Sequence, residues 1–234
     1  MESLDLLANN LANSSAPGFK ADRERFSLYL ADASAESQEV ATGVPQPFLP
    51  VIESNWTDTS QGQLKATGNA GDLALVGPGY FQVNTPDGPL FTRDGRFSAT
   101  QTGQLVNANG YQFASDNGKP LQIDPALPVE VDSEGVIRQQ GTEVGRLKIT
   151  DWNPELSNER RAGGYFRLNG DSLSGLQKSK AQVQQGFQEQ ANFNPAEGSV
   201  RLIEVLRQFE SLEKAAQIGE EMSRHSVEDV ARIT

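Results

Sequence analysis

VRLIEVLRQFESLEKAAQIGEEMSRHSVEDVARI, residues 200–233, is the stretch around which the rest of the chain is arranged. Within it Leu202, Val205, Phe209, Leu212 and Ala216 recur at alternating three- and four-residue steps, the spacing that lines one face of an α-helix. Ile203, Leu206, Ile218 and Met222 widen that apolar face, while Glu204, Arg207, Glu210, Glu213, Lys214 and Glu221 supply the wet side. Such a helix needs something apolar to lie on, and its own domain's core is the ordinary partner. Upstream, Asn194 is placed to cap it, with Pro195 at the first helical position, where a missing N–H costs nothing.

At the other end, residues 2–13 read as a short helix with Leu4, Leu7 and Leu11 as its stripe and Leu6 beside them. Ser14-Ser15-Ala16-Pro17-Gly18 stops it near Asn13, because Pro17 disfavours helical geometry at the residue before it. So short a helix is marginal in water and must pack on something; the C-terminal stripe is the obvious candidate. Residues 19–40 continue as a broken amphipathic segment through Phe26, Leu28, Tyr29 and Leu30, after which three prolines between Thr42 and Pro50 exclude helix. Polar residues with Gly62, Gly68 and Gly71 then suggest a loop wrapping over a surface.

From Leu73 to about Ile149 the pattern becomes short β-type runs separated by turn signals: Pro86-Asp87-Gly88, Asp94-Gly95, Asn109-Gly110, Asp116-Asn117-Gly118 and Ser133-Glu134-Gly135. Short strands with no helices between them indicate an antiparallel domain of complex topology. Residues 151–180 are loop-rich, and Val183–Phe187 is a final extended run. The expected class is mixed and mainly β: a central antiparallel β domain flanked by N- and C-terminal α-helices that pair as a coiled-coil-like stem. By pattern it divides into an N-terminal helical segment (1–40), an extended linker or arm (41–71), a β domain (72–190) and the C-terminal helix (191–234).

Composition narrows the chemistry. The chain has 234 residues, 22 Gly, 12 Pro, no cysteine and one histidine, with a net charge of −11. Without cysteine there is no disulfide framework, thiolate zinc site or cysteine nucleophile. Nucleic acid is a poor partner for so acidic a chain, since phosphate binding draws on clustered Lys and Arg. No apolar run approaches the roughly 18 residues needed to span a bilayer, and the first residues lack the basic and apolar regions of a secretory signal.

His225 alone leaves no multi-histidine metal site or histidine pair and reads as a surface residue. Gly77-Pro78-Gly79 lacks the spacing and Lys of a phosphate loop and reads as a hairpin turn. The acidic residues are scattered, and Asp116-Asn117-Gly118 and Asp132-Ser133-Glu134-Gly135 fall short of a calcium loop. The expectation is a protein that is not an enzyme and takes no cofactor or metal.

Asn9-Asn10-Leu11-Ala12-Asn13 followed by Pro17-Gly18-Phe19-Lys20 resembles the N-terminal signature of bacterial flagellar rod, hook and hook-associated proteins. Later motifs keep the family's order: Gln61-Gly62-Gln63-Leu64 with Thr67-Gly68, Asp72-Leu73-Ala74-Leu75, Gly77-Pro78-Gly79-Tyr80-Phe81-Gln82-Val83, Phe91-Thr92-Arg93-Asp94-Gly95-Arg96-Phe97, Gly103-Gln104-Leu105-Val106, and Gln185-Gly186 with Glu189 and Asn192–Pro195. Val144–Lys148 and Arg207–Glu210 look most like the proximal-rod branch, with the distal-rod branch as neighbour. Three departures stand out. The family has further helical turns before Asn9, which implies a truncated or late start here; Gly71 stands where the family has Leu; and Ala191 and Phe193 replace its Ser and Val.

The resemblance implies a structural axial subunit of the basal-body rod, polymerising through its terminal helices to build the shaft that links motor to hook. Its partners would be other rod subunits, copies of itself and the flagellar export apparatus. It would be exported unfolded by the type III route without a cleavable signal, to a periplasm-spanning rod, with no membrane insertion of its own. Assembly contacts are expected at Leu4, Leu7, Asn9, Asn10, Leu11, Asn13, Gly18, Phe19, Leu202, Val205, Phe209 and Leu212. Family positions in the β region are Gly62, Thr67, Gly68, Asp72, Leu73, Gly79, Phe81, Thr92, Arg93 and Gly95. Other possibilities are a distal-rod or hook-family subunit or, in a different class, a carbohydrate-active or ligand-binding β domain with incidental helices.

Overall fold

The structure is a computed structural model that describes residues 2–30, 48–152, 158–168 and 170–232. In chain order its elements are α1 (Glu2–Ala12), β1 (Asp22–Leu30), β2 (Phe48–Thr57), β3 (Leu64–Ala66), β4 (Asp72–Val76), β5 (Tyr80–Thr85), β6 (Gly88–Thr92), β7 (Gly95–Arg96), β8 (Ser98–Ala99), β9 (Leu105–Val106), β10 (Gln112–Phe113), β11 (Glu130–Val131), β12 (Val136–Gln139), β13 (Thr142–Arg146), β14 (Ile149–Asp151), β15 (Asn158–Arg161), β16 (Tyr165–Leu168), a 3-10 helix (Gly170–Gly175), β17 (Gln177–Lys178), β18 (Gln182–Gln185), β19 (Phe187–Glu189) and α2 (Pro195–Arg232). They fall into two units: residues 13–193, and the two ends 1–12 with 194–234.

The β unit is antiparallel wherever its strands pair. Its largest sheet runs β15-β16-β6-β5-β10-β9-β8, with β14 pairing the start of β5 and β17 pairing β14. Pro86-Asp87 closes the β5–β6 hairpin, which holds Phe81 opposite Thr92 and Thr85 opposite Gly88. Smaller sheets are β18-β4-β7, β11-β12-β13, β19-β3 and the ribbon β1-β2. Alternation along β5 turns Phe81 and Val83 into a core they share with Leu75, Phe113, Ile137, Leu147 and Val183. Each such side chain, once buried, stabilises the unit by about 1.5–3 kcal/mol. A second cluster forms where Tyr80 stacks on Trp152 with ring centroids 4.2 Å apart, Phe91 meets Trp152 edge-on at 5.2 Å, and Phe166 and Leu168 pack alongside.

Several expectations are corrected. Residues 22–30 do not continue a helix; they form β1, antiparallel to β2. Phe26, Leu28 and Leu30 recur at every second residue, which suits a strand, and ten residues of β2 supply the ladder. Pro50, opposite Leu28, is tolerated because a two-stranded ribbon has no interior strand needing every N–H. The arm expected over 41–71 is thus partly strand, in β2 and β3, while residues 41–47 of it lie outside the described residues. Within 151–180, expected to be loop-rich, β15, β16 and β17 all form. Asn158-Glu159-Arg160-Arg161 has no apolar residue to announce a strand; it pairs through its backbone with β16, from Asn158 opposite Leu168 to Arg161 opposite Tyr165.

The terminal unit holds the helices. α1 stops at Ala12, and Asn13–Ala16 turns back on itself through a 2.9 Å bond from the Ala16 N–H to the Asn13 carbonyl. α2 begins as expected: the Ala196 N–H donates to Asn194 Oδ1 at 3.1 Å, and Pro195 opens the helix. Within this unit α1 touches α2.

Candidate assembly interface

α2 carries far more apolar surface than it covers. Leu202 and Val205 are half-buried, but Phe209 is 41% exposed and Leu212 67%. Val200, Ile203, Leu206, Ile218 and Met222 are exposed as well. Scattered single apolar residues on a surface need no explanation, whereas a run of seven along one helix is a candidate docking surface. On α1, Leu7 and Asn10 are buried, Leu4 and Leu11 half-buried, and Asn9 exposed; Asn13, just past the helix, is half-buried.

Near its start the β unit carries Pro17-Gly18-Phe19-Lys20 and at its end Gly186–Phe193, and these two segments meet at a buried charge cluster. Lys20 Nζ lies 2.6 Å from Glu189 Oε1, across 169 residues of sequence, with both side chains at 0% exposure. Arg93 Nη1 approaches Glu189 Oε2 at 3.3 Å, and the Gly62 N–H donates to Oε1 at 2.9 Å. Lys20 also donates to the Ser60 carbonyl at 2.6 Å, and Arg93 to the Gly77 carbonyl at 2.8 Å. Burial pulls the Lys20 ammonium below the usual lysine range, against the opposing pull of Glu189. Arg93 covers the Tyr80 ring 5.2 Å from its centroid, and burial pushes the Tyr80 phenol up to about 12.

Backbone bonds tie the same two segments together. The Gly18 N–H donates to the Glu189 carbonyl at 2.8 Å, and Asn192 accepts from the Ala21 N–H at 2.7 Å while donating to the Asp58 carbonyl at 2.7 Å. Burial raises the Asp58 carboxyl, but hydrogen bonds from Ser60 and Arg23 outweigh it and leave the group lowered. Phe19 is buried beneath the Arg160 guanidinium, which lies 4.3 Å from its ring centroid and also binds the Asp22 carboxylate. Two glycines are required by close approach: Gly18 has φ +66° with a Cβ position overlapping the Arg93 backbone, and a Cβ on Gly62 would overlap the Gln190 carbonyl.

The β-region positions read from the motifs therefore converge in part. Gly62, Arg93 and Gly18 bond Glu189, and Phe19 is buried under Arg160; Leu73, Phe81, Thr92, Gly79 and Gly95 are buried in or beside the core, and Asp72 is half-buried. Thr67 and Gly68 are exposed and stand apart, at the turn where their N–H groups bond the Gly186 carbonyl. Lys20, Glu189 and Asn192 enter the sequence reading only as members of family motifs, with no role of their own, and Asp58 and Arg160 not at all; the available signal is a charged residue inside each glycine- and aromatic-bearing motif, as in Gly18-Phe19-Lys20 and Gly186-Phe187-Gln188-Glu189. A site closed to solvent admits no substrate, so the cluster holds structure together rather than doing chemistry.

The chain is 32% identical over 232 residues to the flagellar basal-body rod protein FlgF of Caulobacter vibrioides, covering 98% of this chain and 92% of that one. It belongs to the family of flagellar basal-body rod proteins. Among its other relatives are FlgF of Rhizobium meliloti, 32% identical with 89% and 83% coverage, and the rod protein FlgG of Buchnera aphidicola subsp. Schizaphis graminum, 30% identical with 94% and 90% coverage. The family model for the flagellar hook protein FlgE/F/G D1 domain matches residues 74–139, from β4 through β12. FlgF-like identity thus extends across both rod-protein units, helices included.

Proposed function

We propose that α2, with α1, is the surface through which this structural subunit of the flagellar basal-body rod joins its neighbours, and that the β unit is the rigid body it carries. The observation that supports it is the row of exposed apolar residues from Val200 to Met222. In an isolated chain those side chains face water; packed against helices of neighbouring copies, each fully covered Leu-sized group would contribute about 1.5–3 kcal/mol. Leu4, Leu7 and Leu11 on α1 and Leu202, Val205, Phe209 and Leu212 on α2 have matching three-and-four spacing, which suits a coiled-coil-like stem completed by other subunits. Asn9, Asn10 and Asn13 fall to inter-subunit packing in the same stem.

A contact of this kind that does not close on itself generates a helical tube rather than a discrete oligomer. The partners are accordingly other rod subunits and further copies of this chain, in the periplasm-spanning part of the basal body. Export through the flagellar apparatus without a cleavable signal, and a role without catalysis, complete the proposal. Limited proteolysis of the dilute chain tests it. Cleavage confined to α1 and α2, leaving the β unit intact, is expected of ends that order fully only on assembly. Protected ends in a monomer would favour a self-contained β domain with incidental helices.

A further inference from the structure

The first and last segments of the β unit do more than share a charge cluster; they lie side by side. The Gly18 N–H donates to the Glu189 carbonyl at 2.8 Å, and the Asn192 N–H donates to the Phe19 carbonyl at 3.3 Å. Residue numbers rise on both segments from the first bond to the second, so the two run in the same direction, as in a parallel ladder. Side chains extend the row: Asn192 Oδ1 accepts from the Ala21 N–H at 2.7 Å, and Glu189 Oε1 holds Lys20 Nζ at 2.6 Å. On its other edge β19 pairs with β3, Glu189 opposite Leu64, so the last segment is gripped from both sides.

Direction decides how such a row meets force. A pull on the N-terminal end of the unit draws residues 18–21 back toward residue 13, and a pull on its C-terminal end draws residues 189–192 on toward residue 193. Because the segments run parallel, the two pulls oppose each other along one axis. The cross-links are then loaded side-on and must give way together, whereas an antiparallel hairpin pulled at its open end, such as β5–β6, parts one bond at a time. Sliding would also draw Lys20 and Arg93 away from the Glu189 carboxylate inside a site closed to water, where separated charges are costly. The close approach of Gly18 to the Arg93 backbone, and of Gly62 to the Gln190 carbonyl, leaves no space for the segments to ride over their neighbours.

We propose that residues 18–21 and 189–192 form a mechanical clamp that keeps the β unit closed under tension applied through its two ends. In a subunit joined to its neighbours by α1 and α2, load enters the β unit at those ends. The place of loading rests on that reading of the helices; the strength of the clamp belongs to the β unit alone, and pulling on single chains measures it without assembly.

The test holds single full-length chains at their two termini under constant force. The wild-type β unit should open in one step of about 60 nm, the stretched length of residues 13–193 at roughly 3.3–3.6 Å per residue. Glu189→Gln should speed that step by roughly a hundredfold or more, and Asn192→Ala, a milder loss that keeps the buried charges paired, by roughly tenfold. The chain has no cysteine, so Asp87→Cys/Lys119→Cys supplies a second pair of handles, at exposed positions, that bypasses both segments. Under that pull the clamp is still closed when the unit yields, and neither substitution should change the rate. Three results would overturn the proposal. The first is a wild-type unit that peels open in a series of smaller steps under terminal load. The second is a terminal rate that Asn192→Ala leaves unchanged. The third is an equal acceleration of both pulls, the mark of residues that only hold the fold together.

Discussion

Replacing Glu189 by Gln keeps the shape of the buried side chain and an acceptor for the Gly62 N–H, but removes the negative charge shared by Lys20 at 2.6 Å and Arg93 at 3.3 Å. Two cations are then left in a site closed to water. Removing one partner of a buried pair costs about 3–5 kcal/mol, a large share of the 5–15 kcal/mol that typically holds a domain together. With a urea slope of about 2 kcal/mol/M, the unfolding midpoint should fall by about 2 M. Trp152, buried in the second cluster of the β unit, reports the transition by its fluorescence. Lys20 adds a signature in pH. Its folded pKa already lies below the ordinary value, so the unfolded chain binds its proton more readily, and stability rises with pH up to the lysine range. Without Glu189 to oppose burial, that rise should begin at lower pH, and the Glu189→Gln defect should shrink as pH approaches 10.5. Adding Lys20→Met should recover part of the loss. A midpoint within the scatter of an exposed control such as Glu159→Gln, or a defect independent of pH, would refute the cluster's structural role.

Three further outcomes follow from the geometry. Tyr80 is raised from 10.0 to about 12, so its contribution is intact below pH 10 and lost as pH climbs toward 12; the wild type should lose up to about 3 kcal/mol over that window, and Tyr80→Phe should lose correspondingly less, by urea titration at each pH. Gly62→Ala drives a Cβ into the Gln190 carbonyl and should cost about 1–3 kcal/mol, read as faster amide exchange in β3 and β19. Asn194→Ala removes the cap on α2, costing about 1 kcal/mol, seen as faster exchange at Ala196 while the Trp152 transition stays in place.

Pro86-Asp87-Gly88 placed the β5–β6 hairpin, and Asn194-Pro195 placed the start of α2, because turns and caps are written in adjacent residues. β1 was misread because Phe26, Leu28, Tyr29 and Leu30 fit a helical face as readily as a strand, and the deciding fact, a partner strand some twenty-five residues away in β2, is not local. β15 was missed because an edge strand needs only a backbone to pair, and Asn158–Arg161 buries no apolar side chain that would mark it. The family motifs were legible as motifs, yet nothing in their spacing says that Lys20, Arg93 and Glu189 meet. That convergence is made by β3 pairing with β19 and β4 with β18, which bring the late segment beside the early one.

The exposed face of α2 is tested most directly by Phe209→Asp/Leu212→Asp, introduced into a bacterium lacking its own copy of the gene and scored for rods in isolated basal bodies. Both positions are exposed in the isolated chain, so the purified variant should keep the wild-type Trp152 unfolding transition. If α2 is the surface that neighbouring subunits cover, two charges in that face should abolish incorporation and leave basal bodies without complete rods. Rods of normal length and number, built from the charged variant, would contradict it.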